Sequence, residues 1–354
     1  MKWPGEVGSS RRQRSATEIA VVERPTKRRM ARFRSEVVAI LNMPDAPETA
    51  LDDKKLVFIV GSPRGGTTWL QGLLSQAPFV STTTETHIFS GYLRSASENW
   101  SRLKERPIGL SSVFSDDEFF AWYGDLPRFW LRKLGEQTPD ARVFLEKTPR
   151  HSAFGAQILR VFPKSYFIHI IRDPRSVAAS LRAASQSWAK AWAPGAMIDA
   201  SMMWENHVVQ ARSIASLTDR YSEINYERLH ADGATETMGL FEWLGEPIGR
   251  AEAETYVAAA AFDKMRPKAT ALRKRRRVDK QFYRRGEVDS WRRELSATEI
   301  AIVERLTRKQ MAQLGYEPIA ARPARIAAAA RLGAYGAADK LAKAVRAGAD
   351  WIKP

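Results

Sequence analysis

The chain has 354 residues, enough to bury a large core, and its 44% hydrophobic and 10% aromatic content marks a folded protein. It has no cysteine, which excludes disulfides, thiolate catalysis and cysteine-based metal sites, and its five histidines include no close pair, so no bound metal is expected. The formal charge of +16 calls for anionic partners such as nucleotide, nucleic acid or acidic lipid, although abundant Ala and Arg can also reflect the base composition of the gene.

Residues 1–50 are polar and basic, with Arg11, Arg12, Arg14, Lys27, Arg28 and Arg29. They also contain a repeat. Residues 5–33 match residues 286–314 at 18 of 29 positions without a gap, which is too many for chance. The first copy has Ser10 where the second has Trp291, and Pro25 where the second has Leu306; a proline there breaks the helix that the second copy can form. The first copy therefore reads as a degenerate duplicate in a basic extension. The N-terminus lacks the apolar core of a signal peptide and no uncharged run is long enough to span a bilayer, so the expected location is cytoplasmic.

A catalytic domain is expected over 51–318. Leu56 to Val60 is a short apolar run, read as a buried strand. Gly61-Ser62-Pro63-Arg64-Gly65-Gly66 breaks it, and a helix-permissive run from Thr67 follows. Strand, glycine-rich turn and helix start together form an anion-binding device, because unpaired N–H groups and the positive end of the helix dipole converge. Aligned with the P-loop pattern G-x-x-x-x-G-K-[ST], Gly61 and Gly66 are in register. Thr67 stands where the lysine belongs, and the positive charge has moved inside the turn to Arg64. A triphosphate with Mg²⁺ normally demands that lysine. The loop looks built for a less highly charged transferring group.

Phe79 to Ser81 reads as a second strand, followed by Glu85 and His87. Residues 90–140 mix charges with aromatics, among them Tyr92, Trp100, Phe119, Trp122 and Tyr123, and read as a helical subdomain with an aromatic core, one face of which could wall an acceptor site. Arg142 to Pro149 reads as a strand ending in Glu146-Lys147-Thr148-Pro149. Tyr166 to Ile171 is another buried strand, and Asp173-Pro174 after it is a helix start with Asp as N-cap. Ile224 to Glu227 reads as the last strand. Alternating strands and helices predict an α/β fold with a parallel central sheet flanked by helices on both faces and ligands at the C-terminal strand ends. Residues 264–285 hold eleven Lys and Arg, including Arg273 to Arg277. Ser296 and Glu299 form a capping box for a helix ending near Gly315. Residues 319–354 read as an Ala-rich helical tail with basic side chains, compatible with peripheral contact at an acidic membrane face.

Three pieces, in order, carry a resemblance: the loop Gly61 to Trp69; Arg172-Asp173-Pro174-Arg175-Ser176 with Ser180 eight residues after Arg172; and Arg284-Arg285-Gly286 with Trp291. Together they resemble the sulfotransferases that use 3′-phosphoadenosine 5′-phosphosulfate (PAPS), over roughly residues 56–317. The resemblance implies a P-loop-like fold, PAPS as co-substrate and no metal. It also implies roles by position. Arg64 would contact the phosphosulfate, Gly65, Gly66, Thr67 and Thr68 would supply donors, and Trp69 would pack on the adenine. Arg172 and Ser180 would hold the 3′-phosphate, joined by Arg284, Arg285 and Gly286. Tyr226, in Tyr-Glu-Arg-Leu, matches a segment near the nucleotide, and equally reads as a tyrosine of the sheet core.

Some members use a histidine as base and others a glutamate shortly after the loop; Glu85 fits the second pattern, with His87 as its neighbouring competitor. Lys147 matches a segment of the bacterial and carbohydrate-acting branch, where a lysine could steady sulfuryl oxygens or pair with Glu146 or Glu85. That branch implies a hydroxyl acceptor on a sugar, glycolipid or secondary metabolite, and no nucleic-acid partner. Two other readings stay open on sequence: a P-loop kinase or nucleotide hydrolase, and a non-enzymatic, basic nucleic-acid-binding protein.

Overall fold

A computed structural model describes residues 54–106, 108–261 and 287–350, with side chains to residue 337. The first copy of the repeat, the basic run Arg273 to Arg277, and Arg284, Arg285 and Gly286 lie outside the described residues.

Five strands form the described sheet: β1 (Lys55–Val60), β2 (Val80–Thr82), β3 (Val143–Lys147), β4 (Tyr166–Ile171) and β5 (Tyr221–Asn225), in the order β2-β3-β1-β4-β5. Every pairing is parallel, so each strand needs a crossover. The crossovers carry helices α1 (Thr67–Leu74), α2 (Arg94–Leu103), α3 (Asp116–Gln137), α4 (Gly155–Val161), α5 (Pro174–Ser185) and α6 (Met197–Ile214). After β5 come α7 (Tyr226–Ala231), α8 (Gly233–Trp243) and α9 (Arg250–Ala259), then α10 (Trp291–Glu294), α11 (Ala297–Leu306), α12 (Arg308–Leu314) and α13 (Arg322–Asp350). The expected parallel α/β architecture is therefore present.

Both sheet faces are covered, which is why the central strands are mostly apolar. Val57 and Ile59 of β1 pack with Leu70 and Leu73 of α1 and Phe241 of α8. Their alternate neighbours Phe58 and Val60 pack on the other face with Ile158 of α4, Ile214 of α6 and the aromatics Trp100, Phe119 and Tyr123. Those aromatics are the core of the helical insert, with Trp100 stacked on Phe119 at 4.2 Å, whereas Tyr92 and Trp122 are exposed.

A further helical layer joins α5 and α6 to the second repeat copy. Trp291, Ile302 and Val303 are buried there beside Trp204 and Leu181. Arg175 ties that layer to the sheet: its guanidinium bonds Asp173 and Glu304 and lies 4.1 Å from the Trp291 ring centre. The Ser296–Glu299 capping box is formed, and Gly315 ends α12 in the left-handed conformation.

Two strand ends differ from the sequence reading. β2 is Val80–Thr82, one residue later than expected. The last strand is Tyr221–Asn225, and Tyr226 and Glu227 begin α7. The cause is Asn225, whose side-chain oxygen accepts the Arg228 N–H at 2.8 Å and so caps a helix where β propensity alone continues the strand.

Candidate active site

The site is assembled at the C-terminal ends of β1, β3 and β4 around the first turn of α1. Gly66 is the N-cap of α1 with φ of 101°, and no side chain caps the helix. The N–H groups of its first turn thus have no intrahelical acceptor. Arg64, at φ of 69°, is a non-glycine residue in the left-handed region, held there by a turn in which Gly65 N–H donates to Ser62 O at 2.9 Å. A Cβ on Gly66 would stand 2.5 Å from the Tyr226 ring, so only glycine lets the helix start lie against that tyrosine.

Two groups of side chains meet at this helix start. In the first, Lys147 of β3 donates to Thr68 Oγ1 at 3.2 Å and pairs with Glu85. Lys147 is buried, while the Glu85 side chain is about one-third exposed, so its carboxylate remains reachable. His87 Nε2 lies 3.3 Å from the other Glu85 oxygen. The lysine's partner is Glu85 and not Glu146, because successive strand residues point to opposite faces. Gln71 fixes the same loop from α1, donating to Thr82 Oγ1 and to Thr83 O.

In the second group, Arg64 Nε donates to Ser180 Oγ at 3.1 Å and its guanidinium lies over Trp188 at 5.6 Å. Arg172, at the end of β4, stacks over Tyr226 at 4.1 Å. Trp69 meets Tyr226 edge-on at 5.1 Å between ring centres. Burial pushes the Tyr226 phenol upward, so it stays protonated. Glu227 holds the corner after Arg172: its carboxylate accepts the Asp173 N–H at 2.9 Å and the Tyr316 hydroxyl at 2.8 Å. Burial raises the Glu227 pKa as well.

The second repeat copy enters here. Arg172 donates to the Glu287 carbonyl at 2.9 Å, and Ser176 Oγ donates to the Val288 carbonyl at 2.8 Å. The residues directly after Gly286 are thus seated on the Arg172–Ser176 corner. Arg172 Nε is buried with no hydrogen-bond partner among the described residues. A buried guanidinium N–H in that condition, beside an uncapped helix start, fits a phosphate.

Arg64, Gly65, Gly66, Thr67, Thr68, Trp69, Glu85, Lys147, Arg172, Ser180 and Tyr226 all gather at or next to the start of α1. Sequence reasoning missed three features. Trp188, which no motif singled out, underlies Arg64. Tyr316 supports Glu227 from far along the chain. Glu146, named only as a partner for Lys147, instead anchors a buried network with Thr86, Thr148 and His151. Its one signal was a carboxylate directly after the apolar run Val143 to Leu145.

A parallel sheet whose central strand ends in a glycine turn and an uncapped helix start defines an α/β protein of P-loop-like architecture. Residues 57–250, more than half of the chain, match the sulfotransferase family, and the chain belongs to that family. Nodulation protein NoeE of Sinorhizobium fredii is 25% identical over 297 residues, covering 74% of this chain and 66% of that protein. The protein-tyrosine sulfotransferase of Drosophila melanogaster is 25% identical over 126 residues, 36% of this chain and 25% of that protein. The chain thus spans only a quarter of that relative's length. Among solved structures, the sulfotransferase domain of the Synechococcus PCC 7002 olefin synthase has a TM-score of 0.50 at 18% identity, with 75% of this chain and 97% of that domain covered. A mouse sulfotransferase complexed with PAP also has a TM-score of 0.50, at 15% identity, with 79% of this chain and 91% of that chain covered. Among the described residues, no cluster of His, Asp and Glu could hold a metal ion, and no helix is long and apolar enough to cross a membrane.

Proposed function

We propose that the chain transfers a sulfuryl group from PAPS to an acceptor hydroxyl, with Glu85 as general base. The observation that carries this reading is the pairing of two groups at one helix start: Glu85–Lys147–Thr68 for chemistry, and Arg64, Ser180 and Arg172 for phosphate. The mouse structure complexed with PAP, on the same fold, supports the choice of nucleotide.

When bound, PAPS supplies an activated sulfuryl group that can pass in line to an oxygen nucleophile. Arg172 and Ser180 hold the 3′-phosphate, joined by Arg284, Arg285 and Gly286. Tyr226 fixes the plane of the Arg172 guanidinium by stacking. Trp69 packs on the adenine. Arg64 and the first-turn N–H groups of α1, with Gly65, Gly66, Thr67 and Thr68, face the 5′-phosphosulfate and stabilise charge on the leaving oxygen. Lys147 does the same for the sulfuryl oxygens and keeps the Glu85 carboxylate oriented. Glu85 takes the acceptor's proton. A sulfuryl group carries one negative charge where a transferring phosphoryl carries two, which matches Thr67 in place of a P-loop lysine.

The acceptor is a hydroxyl of a sugar, glycolipid or secondary metabolite; the aromatic insert that follows Glu85 supports an acceptor with apolar or sugar faces. The test is transfer of labelled sulfate from PAPS into a lysate depleted of its own sulfotransferase, followed by identification of the labelled product. Label on a hydroxyl metabolite supports the reading. Label that appears only with ATP as phosphoryl donor, and never with PAPS, supports a kinase.

A further inference from the structure

Glu146 and Lys147 are consecutive, and so are Glu85 and Thr86. The two pairs grip each other across the end of β3. Lys147 points to the helix start and holds Glu85. Glu146 points to the opposite face, is buried, and accepts from the Thr86 hydroxyl at 2.8 Å and the Thr86 N–H at 3.3 Å. Thr86 passes the constraint on, since its hydroxyl accepts the Ile88 N–H at 3.3 Å, where a short π-helical turn begins. Thr148 closes the other side: its hydroxyl donates to Glu146 at 2.7 Å and accepts the His87 N–H at 3.3 Å. His151, fully buried between Phe58 and Phe89, completes the carboxylate's shell at 2.8 Å.

The backbone between these anchors is strained. His87 has φ of 53°, a left-handed conformation that costs a residue with a Cβ about 1–2 kcal/mol. Such a residue persists where its neighbours over-determine it. Here the Thr86 bonds to Glu146 and the bond of the His87 N–H to Thr148 do so. A loop without that grip would relax at His87 and turn Glu85 away from Lys147 and Thr68.

We infer that Glu146 is a positioning residue: through Thr86 and Thr148 it locks the two residues that follow Glu85, and so fixes where the base stands. The inference rests on Glu85 being the base. It predicts a clean split. Loss of the grip lowers turnover and leaves nucleotide binding intact, because the phosphate-holding group of Arg64, Ser180 and Arg172 makes none of these bonds.

The test uses Thr86→Val, which removes the hydroxyl that joins Glu146 to the loop, and Thr86→Ser, which keeps it. Glu146→Gln is a third variant, whose folding is less assured because it disturbs the buried His151. Rates are read as labelled transfer from PAPS to the lysate acceptor, affinity as calorimetric binding of adenosine 3′,5′-bisphosphate, and the grip itself as amide exchange at Thr86, His87 and Ile88. Thr86→Val should lower kcat about 10–100-fold, as expected for a small misplacement of a reacting group. It should raise exchange at the three amides about tenfold, the equivalent of about one hydrogen bond. Nucleotide affinity should hold, and Thr86→Ser should restore both rate and protection. Unchanged kcat with unchanged exchange in Thr86→Val would overturn the inference, as would an equal loss of nucleotide affinity. If the wild type transfers no sulfate at all, the sulfotransfer reading fails, and amide exchange alone still decides whether the grip exists.

Discussion

Replacing Gly66 by alanine should unseat the nucleotide site from its centre. The added Cβ would lie 2.5 Å and 2.9 Å from two Tyr226 ring carbons and 3.2 Å from Ile170 Cδ1. Tyr226 cannot simply swing away, since it is buried, with Trp69 at its edge and Arg172 over its face. The positive φ costs about 1–2 kcal/mol and the overpacking about 1–3 kcal/mol, so stability should fall by roughly 2–5 kcal/mol. At two to four degrees per kcal/mol for a domain of this size, the melting temperature should drop by about 4–20 °C. The displaced ring also removes the surface on which Arg172 stacks, so affinity for adenosine 3′,5′-bisphosphate should fall at least about tenfold, the equivalent of losing 1.4 kcal/mol. Thermal unfolding and calorimetric titration of wild type and variant measure both effects. A variant that melts within a degree of wild type and binds equally well would refute the packing argument.

Arg172→Ala should weaken binding of adenosine 3′,5′-bisphosphate by about 2–5 kcal/mol, as for loss of one partner of a buried charge pair, while leaving ADP affinity nearly unchanged; equal losses for both nucleotides would sink the 3′-phosphate role. Glu85→Gln should lower kcat by about 10²–10⁴ with little change in nucleotide affinity, and wild-type turnover in that variant would remove Glu85 as base. Burial holds His207, which shares a hydrogen bond with Ser152 at 2.9 Å, down at about 4 from its ordinary 6.5. Its folded pKa lies below the unfolded one, so its contribution is complete above about pH 6.5 and is lost as pH falls towards 4, on the order of 3 kcal/mol. His207→Gln should therefore flatten melting temperature against pH in that window, and an unchanged slope would contradict the assignment. Glu146 acts lower on the scale. Burial pushes its carboxyl upward, but the charge and hydrogen bond of His151, with the hydroxyls of Thr148 and Thr86, outweigh that and hold it at about 2. Its contribution is present above its ordinary 4.5 and lost only as pH falls below that value towards 2, so loss of the Glu146 network should show as a second, more acidic step in the same pH series.

The elements legible in the sequence are those whose signal is local. The apolar runs of β1 and β4 state burial on both faces, the glycine turn states the anion site, and Asp173-Pro174 and Ser296–Glu299 state their helix starts. The strands and the helix starts are present in the structure. Tyr226 was placed one element too early because Ile224-Asn225-Tyr226 has β propensity, and the deciding bond is a single Asn225 side-chain cap. The pairing of Lys147 with Glu85 rather than Glu146 follows only once β3 has a register, since alternation then sends neighbouring side chains to opposite faces. Tyr316 on Glu227, and Glu287 on Arg172, join residues about 90 and 115 positions apart, and no spacing rule reaches that far. The repeat made the second copy visible as a unit. Its packing shows where that unit sits: Trp291 and Glu304 engage Arg175, and Val288, near its start, bonds Ser176 at the Arg172–Ser176 corner.

The central claim is that the loop at Gly66 and the corner at Arg172 serve one nucleotide with phosphate on both sides of its ribose. Calorimetric titration of the full chain with adenosine 3′,5′-bisphosphate, ADP and ATP, with and without Mg²⁺, tests it most directly. The account predicts that the 3′-phosphorylated nucleotide binds at least about a hundredfold more tightly than ADP, a difference of about 2.7 kcal/mol, and needs no Mg²⁺. Preference for ATP with Mg²⁺, or equal affinity for ADP and the bisphosphate, would contradict it.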